Sequence, residues 1–269
     1  MSRITAALQD FQSLESLATQ PTALSALDPR AKILATLGFI IVVVSFDRYA
    51  VAALLPLALF PVILAGMGHI PLPMIGRTVL LASPFAVMLG VFNPLLDQHP
   101  MLTVAGYTIT GGWLSFMSIL IRFSLTVSAG LILVAGTGFH PICTGLSHLG
   151  VPQVLTTQLL LLHRYALVLA SDTARMSLAR ELRSNGRAMP LAVYGPLLGH
   201  LLLRAMQRAQ CIHQAMLSRG FVGQLHRSQS LRWERRDTLF LGFCSISLVL
   251  ARQVDLAHLM GQLLLGLRR

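Results

Sequence analysis

Two arginines at the ends of long apolar segments are the residues whose type and spacing best suit binding. The stretch AMLSRG, Ala215 to Gly220, contains an alanine, three residues, an arginine and a glycine, and ARELRS, Ala179 to Ser184, repeats this pattern 36 residues earlier with a final serine. An arginine in the last turn of a helix presents a planar fork of donors that fits carboxylate or carbonyl groups. The pattern is also typical of an ordinary helix C-terminus, where glycine adopts the left-handed conformation. Its repetition with few acids nearby favours binding to a partner.

The composition predicts an integral membrane protein. The chain of 269 residues is 54% hydrophobic and 12% charged, with a mean hydropathy of +0.68, whereas soluble domains carry about 25% charged residues. A formal charge of +11 raises the question of nucleic acid, but arginines placed between apolar runs follow the positive-inside rule of membrane proteins. We therefore expect an all-α, multi-pass protein of a bacterial inner membrane that binds no nucleic acid. The three scattered cysteines predict free thiols.

About five transmembrane helices are predicted. At the entry to the first, Asp28 can cap the helix, Pro29 fits its first position, and Arg30 with Lys32 can hold this end at the lipid headgroups. This pattern places the N-terminus inside the cell. No basic residue lies between Arg77 and Arg122, so the loop 93–112 is expected outside. The apolar runs are Ile33 to Phe46, Ala50 to Gly68, Thr78 to Phe92 with Pro84 at its middle, Trp113 to Thr137, and Thr238 to Ala251.

The segment between the fourth and fifth runs predicts long cytoplasmic helices. Eleven of the 21 basic residues lie between Arg175 and Arg236, against two acidic residues. The run from Val154 to Ala170 is close to neutral for insertion, because its leucines favour the bilayer and Arg164 opposes it. If that run crossed, the basic cluster would begin outside, so we interpret it as a surface helix that continues to about Ser184.

A second helix, roughly Leu191 to Arg219, is predicted to be amphipathic. Its apolar residues recur at spacings of three and four, with three polar residues largely off the stripe. The stripe is Leu198, Leu202, Ala205, Ala209, Ile212 and Met216, and the polar residues are Arg204, Gln207 and Arg208. The chain is thus divided into 1–137 with the first four transmembrane helices, a cytoplasmic module at 138–236, and 237–269 with the last helix.

Other functional classes find little support in the sequence. The only lysine, Lys32, is followed by isoleucine, so no P-loop for ATP exists. The nine histidines show no HExxH spacing, and no CxxC occurs, so we expect no metal site. A membrane enzyme using His163 with Arg164, or His140 with Asp172, stays an alternative, as does a secondary transporter, although Pro84 has no counterpart in an inverted repeat.

Three stretches resemble a known transporter family. They are LDPRAK before the first apolar run, LGVPQVLTTQLLLLHRYALVLASDTARMSLARELRS, and RAMQRAQCIHQAMLSRGFVG. In order and spacing they are similar to the transmembrane T component of energy-coupling-factor ABC transporters, in the cobalt and nickel branch called CbiQ, over roughly residues 25 to 225. The first motif copy carries Ser184 where glycine is common in the family.

This resemblance implies a non-catalytic scaffold of an ATP-driven importer. The two motifs would cap coupling helices that dock into a dimer of ABC-type ATPases, which bind ATP and Mg²⁺. A separate substrate-binding S subunit would bind Co²⁺ or Ni²⁺, and a small accessory membrane subunit is a further possible partner, so this chain itself would hold no cofactor. The docking residues implied are Ala179, Arg183, Ser184, Ala215, Arg219 and Gly220.

The predicted topology can be tested by cysteine-accessibility labelling. A cysteine at position 187 should be labelled only from the cytoplasm and one at position 99 only from outside, because the positive-inside rule places the basic segment inside. The reverse labelling would overturn this orientation.

Overall fold

A computed structural model describes residues 22, 24–47, 49, 51–96, 100–104, 107–184, 193–221, 223 and 233–253. The predicted helix break at Asn185, Gly186 and Pro190, the labelling positions 99 and 187, and the end of the chain beyond Gln253 lie outside these residues. The described residues form two compact units. The bundle unit contains the described residues of 22–138 and 233–253, and the helix-pair unit contains those of 139–223.

The first part of the bundle unit contains five α-helices and one 3-10 turn. Helix α1 spans Pro29–Ser45, and the second apolar run forms α2, Val51–Leu54, a 3-10 turn, Pro56–Ala58, and α3, Leu59–Met67. Helix α4 spans Leu72–Gly90 and is followed by the short α5, Phe92–Leu96. The expected second helix is therefore interrupted where Pro56 begins the 3-10 turn, since proline lacks the N–H that an α-helix needs.

A short hairpin and two long helices complete the bundle unit. Strands β1, Pro100–Val104, and β2, Tyr107–Thr110, pair antiparallel within the predicted outer loop. They lead directly into α6, Gly111–Thr137, and the last helix of the unit is Arg235–Gln253. Apart from this hairpin, the regular structure of the described residues is helical, which confirms the all-α fold class.

The helix-pair unit contains three helices. They are α7 (Phe139–His148), α8 (Gln153–Arg183) and α9 (Tyr194–Ser218). The last helix of the bundle unit, Arg235–Gln253, is therefore numbered α10. Helix α8 continues through the expected surface segment and ends at Arg183, as predicted. Helix α9 begins three residues later than the predicted boundary.

The helices of the bundle unit run alternately in opposite directions. Asp28 contacts Asp237 where α1 and α10 begin, and Arg252 lies over the Phe46 ring where they end, so these two helices are parallel. Gly136 at the end of α6 lies beside Leu24, just before α1, so α6 is antiparallel to α1.

The same reasoning orients the remaining segments. Gly68, after α3, also lies beside Leu24, whereas Gly90 at the end of α4 contacts Phe116 near the start of α6. The segments 29–45, 51–67, 72–90, 111–137 and 235–253 thus alternate along the sequence. This is the order that five crossings of a bilayer require.

The outer surfaces of these helices are apolar. On α1 the exposed residues Leu34, Leu37, Ile41 and Val44 recur every three or four positions, and Leu239, Phe243, Ile246 and Leu250 do the same on α10. Soluble monomers rarely expose such continuous apolar stripes, whereas lipid accepts them. By length and hydropathy, Leu72–Pro94, Gly111–Thr137 and Gln153–Arg183 are long enough to cross a membrane, and Val51–Met67 is a shorter apolar segment. The protein is therefore a polytopic membrane protein.

Proline inside α4 is accommodated locally. Pro84 cannot donate to the carbonyl of Leu80, four residues earlier, but the Ser83 hydroxyl donates to that oxygen at 2.7 Å. A side chain of the same helix therefore satisfies this carbonyl.

One carboxylate joins the first and last helices of the bundle. Asp237 Oδ1 accepts a hydrogen bond of 2.7 Å from the backbone N–H of Asp28, and its Oδ2 accepts one of 2.9 Å from the N–H of Glu234. The second bond caps α10 itself, because Glu234 directly precedes that helix. Asp237 is 2% exposed and its bond to Asp28 is buried, so water cannot replace that bond.

Removing this carboxylate should destabilise the bundle. Asp237→Ala leaves the buried N–H of Asp28 and the part-buried N–H of Glu234 without an acceptor, and it should lower the free energy of unfolding by about 2 to 4 kcal/mol, measured as the thermal unfolding midpoint of the protein in detergent. Asp237→Asn keeps one good acceptor oxygen, so its unfolding midpoint should lie between those of Asp237→Ala and the parent protein. The exposed side chain of Glu234 provides the control, since Glu234→Ala should change stability by less than about 0.5 kcal/mol. Equal effects at both positions would contradict the double-capping role.

Candidate functional site: two arginine-tipped helices

In the first motif, the C-cap residue Ser184 of α8 has a φ of −86° and is not left-handed. Arg183 is the last helical residue, and the N–H of Ser184 donates to the carbonyl oxygens of Arg180 and Glu181 at 2.9 and 3.2 Å. The Ser184 hydroxyl also donates to the Glu181 carbonyl at 3.0 Å. At the position where glycine is common in the family, serine thus adds a side-chain hydrogen bond to one carbonyl of the last turn.

The second motif ends α9 with a Schellman motif. The N–H of Phe221 donates to the Met216 carbonyl at 3.0 Å and that of Gly220 to the Leu217 carbonyl at 3.0 Å, which is the paired pattern that defines this cap. Gly220 has a φ of 77°, a conformation that costs other residues free energy. The ordinary capping account of this glycine is therefore correct, and Arg219 occupies the C-cap position before it.

The arginines at both tips point away from the fold. Ala179, Arg183, Ala215, Arg219 and Gly220 are exposed, and Ser184 is half-buried. Within the part of the chain that the structure describes, neither Arg183 nor Arg219 forms an ion pair. Each guanidinium is therefore accessible to a carboxylate or carbonyl group from another molecule.

An ion pair joins α8 to α9. Arg208 Nη1 lies 3.3 Å from Asp172 Oδ2, and Asp172 is 8% exposed. The amphipathic pattern placed Arg208 off the apolar stripe of α9, away from its neighbour. That prediction was wrong for Arg208. An apolar pattern predicts that charged residues are exposed, but the buried carboxylate of Asp172 pairs with this arginine. Arg204 and Gln207 are exposed, as expected.

Beside the ion pair, α8 and α9 enclose an apolar groove of about 900 Å³. It is lined by residues between 151 and 169, at and within the start of α8, and by residues between 205 and 221, at and within the end of α9. Among them are Leu155, Leu159, Leu162, Ala166, Ile212 and Met216. The part of α9 beyond Arg208 thus lies alongside the part of α8 before Asp172. Because α9 ends in Arg219, a displacement of that tip also moves one wall of the groove.

The entry to α1 has the predicted cap, but Lys32 does not lie where it was expected. Asp28 is the N-cap, its Oδ1 accepts from the Arg30 N–H at 2.8 Å, and Pro29 occupies the first turn. Arg30 Nε lies 3.9 Å from the same oxygen. Lys32, expected at the headgroups, is instead 4% exposed and donates from Nζ to the Leu24 carbonyl at 3.1 Å. It therefore fixes the segment before α1, whereas Arg30 stays half-buried.

In each of the two alternative acid-base sets, one member contacts a residue outside the set. The His163 ring stacks on Phe139, with centroids 4.3 Å apart, and the carboxylate of Asp172 faces Arg208. Among the described residues no group of three or more histidine, cysteine or acidic side chains is placed to hold a metal ion. Within the described residues, Cys143, Cys211 and Cys244 form no disulfide, as predicted.

A known protein family matches most of the chain. The model of the family described as CbiQ, cobalt transport protein, matches residues 20–231, which include the entry to α1 and both arginine tips. The chain belongs to the CbiQ cobalt transport protein family. As a CbiQ family member it is a membrane component of cobalt transport. The match ends before α10 and Asp237.

A curated relative shares much of the same region. The chain is 27% identical over 195 residues to a protein of Methanocaldococcus jannaschii described as uncharacterized protein MJ1571, covering 68% of this chain and 67% of that protein. The CbiQ resemblance stated from the three sequence stretches is confirmed by the family match.

The left-handed conformation of Gly220 predicts that alanine at this position destabilises the last turn of α9. Gly220→Ala should destabilise the last turn of α9 by about 1 kcal/mol, because a left-handed conformation is strained for alanine although nothing lies within 4 Å of the added carbon. Amide hydrogen exchange of residues 216–221 would measure this loss. Gly199→Ala is the matched control, since that site is within α9, equally open and free of a positive φ, and it should slow exchange or leave it unchanged. Equal protection in the two variants would contradict a role for the left-handed cap.

Proposed function

We propose that this CbiQ family protein is the energy-coupling membrane subunit of an ATP-driven Co²⁺ or Ni²⁺ importer. Arg183 and Arg219 insert into two pockets on a dimer of ABC-type ATPases, and the chain transmits the ATPase movements to a substrate-binding membrane subunit. The observation that carries the proposal is the exposure of both arginines at the ends of two helices joined by an ion pair. Family membership supports the transport role.

The chemistry of each tip suits docking. A guanidinium presents five donors in a rigid plane, so it binds a carboxylate or a set of carbonyl oxygens in one orientation. The helix behind it is a stiff rod, and the small residues Ala179 and Ala215 one turn earlier leave space for a partner surface to approach. A force applied to such a tip is transferred along the helix and is not lost in bending of a loop.

The groove between α8 and α9 suits the second partner. Its lining is almost entirely apolar, which matches the surface of a membrane-embedded subunit. Since the groove walls and the arginine tips belong to the same two helices, a movement of the ATPases would change the shape of the groove. In this mechanism the partner subunit holds the metal ion, and this chain contributes coupling and assembly.

The double variant Arg183→Ala, Arg219→Ala tests the proposal. It should abolish metal uptake in cells and release the ATPase subunits from complexes isolated through this chain, because both docking guanidinium groups are gone. Radiolabelled Co²⁺ uptake and mass spectrometry of the isolated complex measure the two effects. Membrane insertion, followed by fractionation, should not change.

A matched variant controls for charge. Arg175→Ala, Arg204→Ala also removes two exposed arginines from α8 and α9 but leaves the tips intact, so uptake and ATPase retention should stay near the parent level. Full uptake by the tip variant, or an equal loss in both double variants, would refute docking through Arg183 and Arg219.

A further inference from the structure

We propose that Asp172 and Arg208 are positioning residues that form a pivot setting the separation of the two arginine tips. This inference rests on the proposed function, because it concerns how the docking tips are held. The pivot is defined by the ion pair of 3.3 Å that joins α8 and α9. Its role follows from where the two residues lie in the sequence repeat.

Asp172 and Arg208 occupy equivalent positions of the 36-residue repeat. Arg183 follows Asp172 by 11 residues, and Arg219 follows Arg208 by 11 residues. The two partners of the ion pair are therefore separated by the same 36 residues as the two tips. Because equivalent positions of the two copies contact each other, this contact lies where the two copies cross.

The two tips are thus the ends of equal arms. Eleven residues of α-helix extend about 16 Å, and both arms lie within continuous helices up to Arg183 and to the C-cap Arg219. The arm of α9 passes alongside the earlier part of α8, where the groove lies, so the arms diverge from the ion pair. The tips can be separated by no more than both arms and the pair together, on the order of 40 Å.

Burial makes this contact selective. Asp172 is 8% exposed, whereas the Arg208 side chain is 37% exposed. A carboxylate removed from water needs a cationic partner, so the helices cannot slide past each other without leaving it unpaired. The groove of about 900 Å³ beside the pair leaves less side-chain packing between the helices there, so the ion pair carries more of their alignment.

Opposite charges at equivalent positions suggest a charge-exchange experiment. Spin labels at Leu182→Cys and Leu217→Cys, two exposed positions beside the tips, report the separation of the arms by pulsed electron resonance. The exposed Cys211 is replaced by serine in every variant. The measurements use the full chain in its complex with the ATPase and substrate-binding subunits, and Co²⁺ uptake per ATP hydrolysed is recorded in parallel.

Loss of either charge should broaden the distances between the labels. Asp172→Asn and Arg208→Gln should each widen the distribution and lower uptake per ATP by about tenfold, a typical size for a coupling free energy between sites. Exchanging the pair, Asp172→Arg with Arg208→Asp, should narrow the distribution and restore uptake, because the two positions are equivalent. Arg208→Lys keeps the charge without the planar fork and should be intermediate.

The controls separate this inference from the proposed function. Arg204→Gln removes an exposed arginine one turn from Arg208 and should leave the distances unchanged. An unchanged distribution in the single variants, or a broad one in the exchanged variant, would overturn the pivot. If instead the distances respond as expected while the tip variant Arg183→Ala, Arg219→Ala retains uptake, the pivot stands and docking through the tips is refuted.

Discussion

Backbone groups that helices leave unpaired must find partners within the chain wherever water is excluded, and this constraint governs the bundle unit. Asp237 accepts from the N–H groups of Asp28 and Glu234 and so completes two helix starts at once. At the opposite end, the guanidinium of Arg122 donates to the carbonyl oxygens of Phe46 and Asp47, just after α1. Within α4 the Ser83 hydroxyl satisfies the carbonyl freed by Pro84. Asp237, Arg122 and Ser83 thus supply hydrogen bonds where the regular backbone pattern stops.

The helix-pair unit uses charge differently. Its buried carboxylate, Asp172, is matched by one arginine, while the arginines at the helix tips stay exposed. An exposed guanidinium at a rigid end binds poorly to lipid chains and well to a polar protein surface. Among the described residues, the unit thus has an ion pair between α8 and α9 and two exposed guanidinium groups at the tips. In the proposed mechanism the ion pair determines where the tips lie, and the apolar groove between the helices changes with both.

Much of this architecture follows from local sequence signals. Apolar runs predicted α4, α6 and α10, and the Asp-Pro pair predicted the start of α1, because capping depends on residues next to each other in the chain. The contact between Asp28 and Asp237 spans 209 residues and has no local signature, so burial of Lys32 beside it was also missed. Arg208 was predicted to lie largely off the apolar stripe, because a pattern of apolar residues carries no information about an ion pair with another helix. The repeat held the missing signal, since it places an acid at 172 and a base at the equivalent position 208.

The unequal lengths of the crossing segments affect the surrounding lipid. Pro29–Ser45 and Val51–Met67 each contain 17 residues, which extend about 26 Å as helices, less than the roughly 30 Å of a bilayer's hydrocarbon core. Gly111–Thr137, with 27 residues, extends about 40 Å and must tilt or project beyond the hydrocarbon. A short segment is accommodated by local thinning of the bilayer, by snorkelling of flanking residues or by association with another subunit, whereas a long one tilts. The hydrophobic thickness that the surrounding lipid must match therefore differs from one side of the bundle unit to another.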